Sequence, residues 1–168
     1  MLQELTDVEF CGIINACWRG RTKNRLADRN IGSKKTAEEI KILMNGLFLL
    51  QDVGRVEGFI ARGVADDGIS HYPMSAECQV FPWTLAMYAY YNSDLCVDKQ
   101  EVKERILRVL TALRNYNWQI PCDEEGVFYK ESWLKSESWR SVVMLIYSSR
   151  LIYELTQDKK ELELFEKL

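Results

Sequence analysis

Residues 77–117 read ECQVFPWTLAMYAYYNSDLCVDKQEVKERILRVLTALRNYN, and this stretch decides the fold. Its first part, 77–92, is apolar on every side, because Val80, Phe81, Trp83, Leu85, Met87, Tyr88, Tyr90 and Tyr91 fall at all angles round a helix. Such a helix has to be covered on all sides and belongs inside. Its second part, 99–117, places Val102, Ile106, Val109, Leu110, Leu113 and Tyr116 in one stripe, with Lys103, Glu104, Arg105 and Arg108 outside it. That pattern buries one face and wets the other. The link at 93–98 is short, and short links join antiparallel neighbours, so the stretch is expected to be a helical hairpin with an inner and an outer arm.

The same alternation runs outward in both directions. Residues 4–19 are of the inner type, carrying Leu5, Val8, Phe10, Cys11, Ile13, Ile14, Cys17 and Trp18. Residues 36–50 are of the outer type, with Ala37, Ile40, Leu43, Met44, Leu47 and Leu50 opposite Glu38, Glu39 and Lys41; Thr36 followed by Glu39 has the form of a capping box. Residues 138–155 are inner again, with Trp139, Val142, Val143, Leu145, Ile146, Leu151, Ile152 and Leu155, and 158–167 begin an outer partner. The links at 51–76 and 118–137 are long, and each holds an apolar run, an acidic-Gly turn and an aromatic run: Phe59 to Val64, Asp66-Asp67-Gly68 and Ile69 to Tyr72, then Trp118 to Ile120, Glu124-Glu125-Gly126 and Val127 to Tyr129. Both have the form of small β-hairpins.

Gly68 and Gly126 recur at nearly the offset that separates the inner helices starting at 77 and 138, the mark of a repeat of paired helices. The expected fold class is all-α, repeated α-hairpins forming part of a toroid, with small β-hairpins in the long loops. Residues 1–168 are expected to be a single helical-hairpin domain, a fragment or half of such a ring. Three hairpins do not close a ring of six, so an apolar flank is left for a cap, a second copy in a homodimer, or a missing C-terminal half.

The bulk composition sets limits on function. A chain of 168 residues, 47% hydrophobic and 28% charged, has the make-up of one folded domain. The net charge of −3 lacks the basic excess of a general nucleic-acid binder. No apolar run reaches the roughly 18 to 20 residues that cross a bilayer, and Met1 to Glu9 hold no basic leader region. Cys11, Cys17, Cys78, Cys96 and Cys122 are well separated, without a Cys-x-x-Cys pair, so free thiols and no metal site are expected. No cofactor is expected either. Free thiols favour the cytoplasm, while a fragment of a periplasmic or secreted protein would also lack a leader, which leaves the compartment open.

If the long loops share one end of the bundle, the inner helices start there too, and their free backbone N–H groups attract anions. Tyr72, Phe81, Trp83, Trp118, Tyr129, Trp133 and Trp139 crowd the same end. Rings beside carboxylates and amides suit a sugar, whose apolar face stacks on a ring while its hydroxyls bond at the edge. The plain alternative for each ring is a place in the core.

Residues 58–79, GFIARGVADDGISHYPMSAECQ, resemble a loop of the six-hairpin glycosidase superfamily, in which an Arg-Gly, an Asp-Gly turn and a Tyr-Pro precede a Ser-x-Asp-Gln that opens an inner helix. The present chain has Ser75-Ala76-Glu77-Cys78-Gln79 where that pattern has Asp directly followed by Gln. The resemblance implies an (α/α)6 toroid, an oligosaccharide or polysaccharide ligand, and a cleft side carrying Arg62, His71, Glu77 and Gln79. It makes Glu77 the candidate general acid or base, with Asp67 or Asp66 as the second carboxyl group, since most glycoside hydrolases place two across the scissile bond. Tyr72, Trp83, Trp133 and Trp139 are the expected substrate contacts. Each acid also has a structural reading, Asp67-Gly68 as a hairpin turn and Glu77 as a favourable charge in the first turn of a helix.

His71 is the one histidine of the chain, so imidazole chemistry has to use it. With Arg62 it also suits a lyase, in which a neutral base takes the proton beside a uronate while an arginine neutralises the carboxylate. Asp123, Glu124 and Glu125 read as a solvated tip, or as groups that meet the first loop across the cleft. Arg19, Arg21, Lys23, Arg25, Arg29, Lys34 and Lys35 form a basic run against Asp28 alone, either solvated or the seat of a partner. The expected function is a glycoside hydrolase-like, carbohydrate-active domain. A non-catalytic helical-repeat module that binds a protein or glycan, and a uronate-directed polysaccharide lyase, are the alternatives.

Overall fold

A computed structural model describes residues 34–130 and 132–166. The inner helix expected at 4–19 and the basic run from Arg19 to Arg29 lie outside the described residues, while its last members, Lys34 and Lys35, begin the first described helix. Among the described residues the elements follow as α1 (Lys34–Asp52), α2 (Glu77–Tyr91), α3 (Lys99–Asn115), β1 (Ile120–Pro121), β2 (Phe128–Tyr129), α4 (Trp139–Thr156) and α5 (Lys159–Phe165). The chain is mostly helical; α2 is covered on nearly every side and α3 buries one stripe, as their sequence patterns anticipate, whereas α4, expected to be an inner helix, leaves part of its apolar surface in water.

The central hairpin shows why. Along α2, Val80, Trp83, Thr84, Ala86 and Met87 are buried, and Phe81, Tyr88, Tyr90 and Tyr91 are half-buried, so little of the helix meets water. Along α3 the buried set is Val102, Ile106, Val109, Leu110, Ala112 and Leu113, a single stripe. Asp98 caps α3 by accepting the N–H of Glu101 at 2.9 Å, which satisfies one of the free donors at a helix start. Helix α1 lies against both arms. The indole N–H of Trp83 donates to the carbonyl of Leu47 at 2.9 Å. The guanidinium of Arg105 bonds Asp52 at 2.7 Å and Gln51 at 2.9 Å and lies 4.4 Å over the ring of Phe48. Thr36 lies inside α1, which begins at Lys34, so it is not the residue that caps this helix.

Chain reversal after α3 uses left-handed backbone at two residues that are not glycine, Asn117 (φ 55°) and Trp118 (φ 60°). Such conformations persist only where the surroundings over-determine them. Here the N–H of Trp118 closes onto Leu113 at 2.7 Å, and the N–H of Trp133 returns to the Trp118 carbonyl at 3.1 Å. The two indoles stack at 6.2 Å, and the hydroxyl of Ser132 donates to the Asn117 carbonyl.

Both long loops turn back on themselves, but the first does so with less pairing than its sequence suggests. Its hairpin is reduced to a single antiparallel bridge, Val64 with His71, because Pro73 has no N–H to extend a ladder. Its turn is held instead by the Asp67 carboxylate, which accepts the N–H groups of Ile69 at 2.9 Å and Ser70 at 2.7 Å. The second loop carries a true two-stranded ribbon, Ile120 opposite Tyr129 and Pro121 opposite Phe128.

The first loop packs on α3 through Gly58, whose φ of +82° lies in the left-handed region. A Cβ there would sit 2.7 Å from the Cβ of Ala112. Gly58→Ala is therefore expected to lower stability through both the strained backbone and the clash, by about 1–3 kcal/mol, as a fall in the urea midpoint at unchanged slope.

At the other end of the described chain, α4 buries Ser141, Met144, Leu145, Ser148, Leu151, Ile152 and Leu155. Its opposite side leaves Trp139, Val142, Val143 and Ile146 between 44% and 75% exposed.

Candidate functional site

The two long loops meet on one carboxylate. Asp123, whose side chain is 2% exposed, accepts through Oδ1 the backbone N–H of Arg55 at 2.5 Å and of Val56 at 3.1 Å. Its Oδ2 lies 2.8 Å from Nε2 of His71, and its own N–H donates to the carbonyl of Pro73 at 2.7 Å. Nδ1 of His71 lies 2.9 Å from the carbonyl of Ile69. The end of α1, the first hairpin and the second loop are thus joined by a single acid. Burial pushes its carboxyl towards protonation, but the N–H of Arg55, the ring of His71 and the N–H of Val56 outweigh that, and the group is held below the usual carboxylate range.

Beside this junction lies a cleft of about 630 Å³ lined by Arg55, Val56, Glu57, Pro73, Tyr116, Asp123, Glu124 and Glu125. Tyr116 offers a half-buried ring that meets Phe128 edge-on at 5.3 Å, and Pro73 forms part of the wall. Arg55 reaches out with its side chain 87% exposed, and Glu57, Glu124 and Glu125 are exposed. The walls combine a few apolar surfaces with polar groups of both signs.

The residues singled out in the sequence fall into three groups. His71 reaches the junction, with its side chain 13% exposed and both ring nitrogens occupied, so it has no free lone pair to act as a base in this arrangement. Asp67 accepts from the hydroxyl and N–H of Ser70 and the N–H of Ile69, bonds that hold its carboxyl below the usual range even in full solvent. It is committed to its own turn; Asp66 beside it is exposed. Glu77 stands in the first turn of α2, and its side chain has no hydrogen-bond or ion-pair partner among the described residues. Neither Glu77 nor Asp67 lines the cleft.

Arg62 lies 5.8 Å over the ring of Tyr72, which is 56% exposed, and its Nε is buried without a hydrogen-bond partner. Trp139 is 75% exposed at the start of α4. By contrast Gln79, Trp83 and Trp133 are 1%, 0% and 2% exposed and belong to the interior, Trp83 against Leu47 and Trp133 against Trp118. Neither indole presents a face to a ligand.

Arg55, Glu57 and Tyr116 stand at the cleft without a motif of their own; only their neighbours across 50 or more positions bring them there, as the separation of 68 between Arg55 and Asp123 shows. No group of histidine, cysteine and acidic side chains able to hold a metal ion occurs among the described residues. Cys78, Cys96 and Cys122 are free thiols, exposed, half-buried and buried in turn. Among the described residues no helix is long and apolar enough to cross a membrane. Comparison with known protein families, with curated proteins and with solved structures finds no match to this chain.

Proposed function

We propose that the chain is a carbohydrate-active domain that holds an oligosaccharide in the cleft between its two long loops. The observation that carries this reading is the cleft itself, about 630 Å³ with Tyr116 and Pro73 as apolar walls and Arg55, Glu57, Glu124 and Glu125 as polar edges. Its size lies within the roughly 300–1,000 Å³ of small-molecule sites, and its mixture of ring and hydrogen-bonding groups suits a pyranose. The likeness of residues 58–79 to the six-hairpin glycosidases supports a sugar over other ligands of that size.

Binding is favoured over hydrolysis within this reading. A glycoside hydrolase needs two carboxyl groups opposed across the scissile bond, about 5–9.5 Å apart in most families. Of the carboxyl groups that the resemblance nominates, Asp67 is used by its own turn and Glu77 stands apart from the cleft; Asp123 accepts from three donors, and Glu57, Glu124 and Glu125 stand exposed to water rather than enclosed. The lyase alternative needs a histidine with a free nitrogen, and both of those on His71 are taken.

Calorimetric titration of the whole chain with a panel of neutral and uronic oligosaccharides tests the reading. At least one sugar is expected to bind, with no reducing ends released on long incubation. Arg55→Ala, which removes a side chain 87% exposed, is expected to weaken that binding by about fivefold to tenfold while leaving thermal unfolding unchanged. Failure of every sugar to bind would refute the proposal, and release of sugar would restore the hydrolase reading in place of the binding one.

A further inference from the structure

Both ring nitrogens of His71 face acceptors: the Ile69 carbonyl at 2.9 Å and the Asp123 carboxylate at 2.8 Å. A carbonyl oxygen and an ionised carboxylate only accept, whereas a neutral imidazole has one N–H and one lone pair. The two contacts are therefore satisfied together only when the ring carries both hydrogens and is cationic. Removing either proton sets a lone pair against an acceptor oxygen. We propose that the charged pair His71–Asp123 is a pH-sensitive latch, which holds the two long loops together round the cleft and lets them part when either partner loses its charge.

The placement of the pair gives the latch its reach. Asp123 is the group on which the N–H donors of Arg55 and Val56 converge, and it bonds Pro73 through its own N–H. Every cleft residue except Tyr116 is one of these four or lies within two positions of one: Glu57 after Val56, and Glu124 and Glu125 after Asp123. Loosening the pair thus loosens the walls of the cleft.

The charged surroundings do not replace the latch once it is lost. The Nε of Arg55 is 3.8 Å from Asp123, but this side chain is 87% exposed and well solvated, so it is a weak substitute for a buried partner. The remaining ionised groups round the cleft, Glu57, Glu124 and Glu125, share the sign of Asp123. Asp67, on the same hairpin as His71, is taken up by Ser70. The other ring against His71 is that of Phe59, 5.6 Å away, which contributes no charge. None of this depends on what the cleft holds, so the latch stands or falls apart from the sugar reading.

With a single histidine in the chain, the imidazole resonance in a pH titration of the labelled whole protein reports His71 directly. The amide protons of Arg55 and Val56 report the other end of the latch. Their exchange protection, corrected for the intrinsic rate, is expected to fall by about tenfold as the ring loses its proton, with both amide shifts following the ring. In His71→Gln, whose side-chain amide donates at any pH, that step is expected to vanish. The proposal is overturned if the two amides keep their shifts and protection while the ring titrates, or if the same step survives in His71→Gln.

Discussion

Asp123→Ala is expected to destabilise the protein by about 3–5 kcal/mol, the loss typical when one partner of a buried charged pair is removed and the rest stays behind. The substitution strands three donors at once: the N–H groups of Arg55 and Val56 and the ring of His71. Each buried donor left without a partner costs about 1–3 kcal/mol, and the effects overlap because the three share one carboxylate. Urea unfolding measures it, and a loss below about 1 kcal/mol would show that the loops are held by something else.

The same residue sets a pH dependence whose sign follows from its shift. Its carboxyl is held below the ordinary value of about 3.9 in the folded protein, so the folded state binds fewer protons than the unfolded one in that region. The stabilisation is therefore complete above about pH 4 and is lost as the pH falls through the lower, folded value. Asp123→Asn removes the titrating group, and its stability is expected to fall less steeply with acidification over that window than that of the unaltered protein.

Trp83→Ala is expected to cost about 3–5 kcal/mol, in the range for deleting a buried aromatic side chain. Trp83 is 0% exposed, and its indole N–H is bonded to Leu47, so the loss combines a large cavity with a broken tie between α1 and α2. Trp83→Phe keeps much of the volume and drops the bond. It is expected to cost about 1–2 kcal/mol, and equal losses in the two variants would contradict the cavity account.

The places where sequence and structure part company have physical reasons. For α2 and α3 helix type was legible because it depends on local spacing, whereas Trp139, Val142, Val143 and Ile146 gave α4 the make-up of an inner helix and yet stand exposed, since burial also needs a neighbour to cover that side. The interior position of Trp83 was legible too, since a helix that is apolar on every side has to be covered all round. Reading it as a ring for a sugar set its chemistry above its register. Trp133 offers no such clue, because it lies in an irregular segment, where no periodicity marks the side that joins the core and stacks on Trp118.

The cleft was legible only in part. The acidic run Asp123-Glu124-Glu125 looks uniform in sequence, yet its first member is 4% exposed and its other two are exposed. What separates them is a histidine 52 positions away and two amides 67 and 68 positions away, contacts that no local pattern encodes. The turn acids behaved more simply: Asp67 followed by glycine has the make-up of a turn and holds one.

The meeting of the two long loops underlies both the cleft and the latch, and a nuclear Overhauser spectrum of the whole protein tests it most directly. Cross-peaks are expected from the imidazole protons of His71 to the β protons of Asp123, as its Nε2 lies 2.8 Å from that carboxylate. An imidazole that shows cross-peaks only to its own hairpin and to Phe59 would mean that the loops stand apart, and neither the cleft nor its latch would exist as described.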